Sequence, residues 1–309
     1  MDNDQLLQWL LDSDVAVQFQ VRRDLLGEPR PDLRERIATE GWGLQFLQAR
    51  NENGHWGRGF YQPKWISSHY TLLDLKHLGL PPDHPAPAPA FRLVLQTHKE
   101  KEVGGLNPGE TIRNSDVWIN GMVLNVACYF GVDPSGLHSI VDFILTQQLH
   151  DGGFNCNFNQ GGAVHSSLHS TISLLEGIHE YAATGYTYRL PELQTAAAKS
   201  REFILQHRLF RSDHSGEIIN KRFLMLSYPS RWFYDILRAL AYFQTADNAY
   251  DPRMQDALDV LLKKRRKDGT WPVQAKHAGQ VHFDMEKTGG PSRWNTLRAL
   301  RVLEHFSFG

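Results

Sequence analysis

The chain has 309 residues, 41% of them hydrophobic and 22% charged, and carries a net charge of -1. That is the composition of a soluble globular protein, and the near-zero charge removes any long-range pull toward nucleic acid. Cys128 and Cys156 make no disulfide framework, which fits a reducing, cytoplasmic compartment, and no run of residues approaches a membrane span.

The opening Met1-Asp2-Asn3-Asp4 is acidic, and Leu6–Leu11 is too short for a signal-peptide core. Taken in order, the chain predicts helix after helix with few strand signals. Gln5–Leu11 forms a short helix, and Ser13-Asp14 caps a second one carrying Val17, Val21 and Leu25 until Gly27 stops it. Glu28-Pro29-Arg30-Pro31 reads as a break. A third helix runs through Leu44, Phe46 and Leu47, and Ser67 begins a fourth that ends at Gly79. Pro81–Pro89 reads as a long surface connection, followed by a helix over Phe91–Gln96. Further helices are predicted from Ser115, over Ile140–Gln148, from Ser166, over Ala196–Gln206, from Trp232 and over Met254–Leu262. The last opens at Pro291 and carries Trp294, Leu297, Leu300 and Leu303 on one face.

Each unit is therefore a helix, a glycine-marked loop and a second helix, repeated at roughly 40–55 residues. About six such units fill residues 1–309 without a compositional break, which predicts one domain. Two loops end on the same opening, Pro229-Ser230-Arg231-Trp232 and Pro291-Ser292-Arg293-Trp294, followed by Leu237-Arg238-Ala239-Leu240 and Leu297-Arg298-Ala299-Leu300. The two-residue offset between the copies marks a drifted repeat. The basic run Lys263-Lys264-Arg265-Arg266-Lys267 reads as a solvated helix end.

Three loops place an aromatic residue two positions after a turn glycine: Gly54-His55-Trp56, Gly152-Gly153-Phe154 and Gly269-Thr270-Trp271. Gln148-Leu149-His150-Asp151-Gly152-Gly153-Phe154 resembles the Gln-x-x-x-Gly-x-Trp/Phe repeat of squalene-hopene cyclases and protein prenyltransferase β subunits. In the other two copies Arg50 and Arg265 replace the glutamine. The resemblance implies an all-α protein, an α/α toroid whose inner helices line a central cavity. It does not carry a function, since toroids host cyclases, prenyltransferases, glycan-degrading enzymes and binding proteins. The turn aromatics read as packing between hairpins.

The second helix of each unit is the expected inner one, so the starts of these helices should ring one mouth of the cavity. They supply Trp65, His69, Asp116, Trp118, His165, His169, Arg231, Trp232, Tyr234, Asp235, Arg293, Trp294 and Asn295 as candidate ligand-contacting residues. Aromatic walls suit a small apolar or isoprenoid-type ligand and equally suit sugar faces. The bland alternative is ordinary core with polar helix caps.

Asp284-Met285-Glu286-Lys287-Thr288 resembles the Asp-x-Asp-Asp-Thr motif of class II terpene cyclases, which implies Glu286 as the acid and Asp284 beside it. Lys287 departs from the motif and would weaken that acid. Asp284, Glu286 and Arg293 are expected to face the cavity. The zinc site of prenyltransferase β subunits implies a second set, with Asp116 in its aspartate's place and His169 in its histidine's. Trp118 replaces the thiolate of that motif, and Cys156 and His165 would complete a tetrahedral zinc set. Asp116 and His169 are thus candidate catalytic residues beside Asp284 and Glu286. The leading expectation is an isoprenoid-binding or terpene cyclase-like protein without a cofactor. A zinc-dependent prenyltransferase-like enzyme, a glycan-acting toroid enzyme and a non-catalytic binding protein stay open, as does peripheral membrane contact.

Overall fold

In the computed structural model of the chain, which describes residues 1–109 and 114–308, the helices pair into two concentric rings. The outer ring is α1 (Asn3–Leu11), α4 (Gly41–Gln48), α6 (Pro87–His98), α8 (Pro134–Thr146), α11 (Leu190–Gln206) and α13 (Gln255–Lys263). Their partners α2 (Val15–Asp24), α5 (Ser68–Leu78), α7 (Val117–Tyr129), α10 (Leu168–Ala183), α12 (Ile236–Thr245) and α14 (Arg293–His305) form the inner ring. Two short helices, α3 (Pro31–Arg36) and α9 (Phe158–Gly161), sit in connections. A two-residue ladder pairs β1 (Trp271–Pro272) antiparallel with β2 (Pro291–Ser292). The protein is an all-α, α/α toroid. Among the described residues no helix is long and apolar enough to cross a membrane.

Sequence explains the layering. Inner helix α7 is buried without a break from Ile119 to Cys128, as a helix enclosed on every side must be. Outer helix α13 buries only Ala257, Leu258 and Leu261 and leaves the other face in water. Between α7 and α10 two glycines permit close approach: a Cβ on Gly177 would stand 2.3 Å from the carbonyl of Gly121. Around the ring, Gln20 of α2 donates to the His77 carbonyl of α5 at 2.7 Å. Arg301 of α14 pairs with Asp24 of α2 at 3.2 Å, so the last hairpin closes on the first.

The glycine turns are built alike. Gly54, Gly152 and Gly269 have φ of 87°, 93° and 89°, a region glycine occupies without strain. The residue four before each glycine donates to its carbonyl: Arg50 at 3.1 Å, Gln148 at 2.8 Å and Arg265 at 3.3 Å. Arginine thus replaces glutamine without loss of the bond. Trp56, Phe154 and Trp271 are fully buried. Their backbone N–H groups donate to Ser68, Thr171 and Thr296 at 3.0, 3.0 and 2.9 Å, hydroxyls on the inner helices. The turn therefore locks each outer helix to its inner partner.

Several boundaries differ from the sequence expectation, each for a local reason. Pro31 sits in the first turn of α3 rather than in a break, and Pro87 and Pro89 lie in the first turn of α6 rather than in a surface connection. Proline's missing N–H costs nothing there. α8 and α11 likewise begin six residues early, at Pro134 and Leu190. The two Pro-Ser-Arg-Trp copies open no helix in the same way. Pro291 belongs to β2, so α14 starts at Arg293 under a Ser292 cap, whereas α12 starts only at Ile236 under Asp235.

Candidate functional site

The mouth formed by the starts of the inner helices is closed. The segment 273–290 runs across it, with Trp65 Nε1 donating to the Ala278 carbonyl at 2.6 Å and His277 Nε2 to the Ser230 carbonyl at 3.2 Å. Thr71 Oγ1 lies 2.9 Å from His282 Nε2, and the Phe46 and Phe283 rings are 4.6 Å apart. About 20 Å³ of space remains beneath this segment. Trp118 packs on Trp232 at 5.9 Å, and His169 on Trp232 at 5.1 Å. Trp65, Trp118 and Trp232 gather around the half-buried Lys64 side chain, whereas Trp294 stands apart against Tyr228.

His69 lies in this layer, buried against Phe60, Tyr61 and Tyr70, and its Nε2 has no hydrogen-bond partner. Burial pushes its pKa down to about 3, helped by the Lys64 charge. Its neutral form is the folded form, so its contribution is complete above the unfolded pKa of about 6.5 and is lost as pH falls from there toward 3. His69→Leu should therefore gain stability over wild type by about 1.4 kcal/mol for each pH unit below 6.5. Urea titrations at pH 7 and pH 5 test this; equal differences at both pH values would show that His69 is solvated.

The remaining predicted residues divide by location. Asp284 is exposed and pairs with Lys276. Glu286 caps α14, accepting from the Ser292 hydroxyl and from the N–H groups of Arg293 at 2.6 Å and Trp294 at 3.3 Å. Burial raises its pKa against those bonds. Arg293 points away to α1, donating to the carbonyls of Trp9 and Asp12, both at 3.3 Å, with its guanidinium 4.6 Å over the Trp9 ring. Asp116 caps α7 through the N–H of Trp118, and Asp235 caps α12 through that of Arg238. Tyr234 donates its hydroxyl outward to the Leu209 carbonyl at 2.5 Å, and Asn295 donates to Pro272 at 3.0 Å.

The zinc set is corrected. Among the described residues no three His, Cys, Asp or Glu side chains gather as metal ligands. His165 and His169 do not share a helical face, because α10 begins at Leu168 and leaves His165 exposed in the preceding loop. His169 Nδ1 instead accepts from the Tyr234 N–H at 2.9 Å, and the Cys156 N–H donates to Ser170.

Below the mouth lies a buried ion pair. Arg231, held at φ 54°, donates to the Trp65 carbonyl at 3.2 Å and stands 3.7 Å from Asp74 Oδ2. Burial pushes Asp74 up to about 6 while Arg231 pulls it down. Tyr228 lines both this region and the space beyond, and its ring stacks on Trp294 at 5.3 Å.

Beyond Tyr228 an axial cavity of about 290 Å³ is lined by all six inner helices. Its character is cationic. Arg23, Arg34, Lys76, Arg238, Arg298 and Arg301 face Glu176 and Glu180, with Asp24 at the edge. Arg238 holds Glu176 through two bonds of 2.9 and 2.6 Å, and Lys76 holds Glu180 at 2.7 Å. Burial raises the Glu176 pKa, but Arg238 overcomes it and keeps the carboxylate ionised. Arg298 donates only to Ser230 Oγ at 3.4 Å and has no carboxylate in salt-bridge contact among the described residues, its charge acting at longer range on the buried Asp235. Burial pushes His77 down to about 3, so it adds no charge. Apart from Trp294 these residues were not candidates from sequence. The signal was present in Leu-Arg-Ala-Leu, where Arg238 stands between the buried Leu237 and Leu240 and Arg298 between the buried Leu297 and the half-buried Leu300.

No protein-family model matches the chain, and no curated protein is similar to it by sequence. Among solved structures it is similar to a glycosyl hydrolase family 88 protein from Bacteroides vulgatus, at 11% identity over 94% of this chain and 89% of that one, TM-score 0.51. A polysaccharide lyase matches at 11% identity over 99% and 97%, TM-score 0.52. The type II terpene cyclase MstE from Scytonema matches at 15% identity over 94% and 88%, TM-score 0.46. The first two likenesses establish the architecture and leave function to the site.

Proposed function

We propose that the axial cavity binds a small acidic sugar, placing the chain with glycan-acting toroids rather than with isoprenoid-binding ones. The observation that carries this reading is Arg298, a cavity guanidinium with no carboxylate in direct contact where Arg238, Lys76 and Arg301 each have one. A planar guanidinium takes a carboxylate through two parallel bonds. Trp294 and Tyr228 supply flat apolar faces for a sugar ring, and Glu176 and Glu180 supply acceptors for its hydroxyls. The volume, about 290 Å³, lies at the small end of ligand pockets, which run from about 300 to 1,000 Å³. The reading is one of recognition. Glu176 is held ionised by Arg238, so it can accept a proton but not donate one.

The isoprenoid reading has less support, because the aromatic mouth retains only about 20 Å³ and the larger space is charged. Titration calorimetry with D-glucuronate and D-glucose separates the cases. Glucuronate should bind and glucose should not, and Arg298→Gln should weaken glucuronate at least tenfold, about 1.4 kcal/mol. Equal binding of both sugars, or an unchanged affinity in Arg298→Gln, would sink the reading. Stabilisation by farnesol alone would return the isoprenoid ligand to first place.

A further inference from the structure

The mouth holds a second arrangement, independent of the axial cavity. Lys64 opens the 3-10 turn Lys64–Ile66, and its side chain enters the aromatic layer. Its Nζ lies 5.0 Å from the ring centre of Trp65, 5.1 Å from Trp232, 5.7 Å from Tyr61 and 6.0 Å from Trp118. The four rings come from three parts of the chain: the loop before α5, the start of α7 and the loop before α12.

We propose that Tyr61, Trp65, Trp118 and Trp232 form a cage for a quaternary ammonium group, with Lys64 as its resident, displaceable occupant. A ring face attracts a cation through its quadrupole, and most strongly where the site is dry. A primary ammonium is a poor match for such a site. It carries three N–H donors, and Lys64 Nζ has no hydrogen-bond acceptor or ion-pair partner among the described residues. A trimethylated ammonium keeps the charge and has no N–H to satisfy, so it leaves water for the rings at a smaller cost than a primary ammonium does. Burial lowers the Lys64 pKa, with Asp116 opposing, in line with an ammonium that is imperfectly solvated there. The neighbouring His69 stays neutral and does not compete for the rings. Lysine is also an occupant that can leave, since its long flexible stem can carry the head back to water.

The test uses tryptophan fluorescence with tetramethylammonium chloride and choline chloride, against sodium chloride at equal ionic strength. Lys64→Ala should bind tetramethylammonium saturably and at least tenfold tighter than wild type, and adding Trp232→Ala should abolish that binding. Lys64→Met, which refills the cage with a neutral chain, should not bind. Wild type gives a second arm that does not depend on any variant's folding: choline should give a weak but saturable response that Trp118→Ala loses. If Lys64→Ala keeps its circular dichroism yet responds to tetramethylammonium as to sodium, the proposal falls. It falls equally if wild type shows no saturable response to choline.

Discussion

Arg238→Ala should destabilise the protein by about 3–5 kcal/mol, the cost of leaving one member of a buried ion pair without its partner. The Arg238 side chain is 5% exposed and that of Glu176 22%, so the glutamate still meets some cavity water and the lower part of that range is expected. Arg238 also donates to Ser173 Oγ and to the Phe233 carbonyl, each at 3.1 Å, so its loss leaves acceptors unpaired on α10 and in the loop before α12. In thermal unfolding this is a fall of about 5–8 °C, from an unfolding entropy of about 2.1 cal/mol/K per residue. Arg238→Met combined with Glu176→Leu should recover most of the loss, because apolar residues of similar volume replace a buried pair at little cost. A loss below about 1 kcal/mol for Arg238→Ala would place the pair with exposed salt bridges and contradict the cavity described above.

Trp271→Ala should cost a similar amount, about 3–5 kcal/mol, from lost burial and the void left behind. The ring is fully buried, and its Nε1 donates to the Leu261 carbonyl at 2.8 Å, satisfying the end of α13. Trp271→Phe is the informative partner. Phe154 fills the equivalent position with no indole N–H, so phenylalanine should retain most of the packing and lose chiefly that hydrogen bond, about 1 kcal/mol. Gln148→Arg should be nearly neutral, since Arg50 and Arg265 already make the same bond to their turn glycines. Urea denaturation of the three variants checks the order. A Trp271→Ala loss no larger than that of Trp271→Phe would mean the hairpins are not held through these rings.

What was legible in the sequence was local. The turn glycines, the aromatic two residues on and the capping Asp14 announce themselves by type and spacing, because a positive-φ turn and a helix start each admit few residues. The site was less legible. Helical period shows that Arg238 and Arg298 share a repeat, but which face of a helix meets the axis depends on its neighbours in the ring. The closure of the mouth depends on Trp65 meeting Ala278, partners 213 positions apart that no local pattern links. The zinc set failed on a helix boundary: a start two residues later than expected took His165 off the helical face it needed. Arg293, the same letter as Arg231 in the repeated tetrapeptide, turned to the outer layer because β2 precedes it and a longer loop precedes α12.

The meeting of α14 with α2 changes how the repeats share their stability. In an open solenoid each hairpin leans on its neighbours, and the array can fray from either end. Here the Arg301–Asp24 pair joins the sixth hairpin to the first, so every hairpin has two flanks and none is terminal. Contacts between opposite ends of the sequence form only after the chain has circled the axis, and a long loop must close before they do. Unfolding should then be a single cooperative event rather than a progressive unzipping, with the first and last hairpins among the most interdependent parts of the molecule.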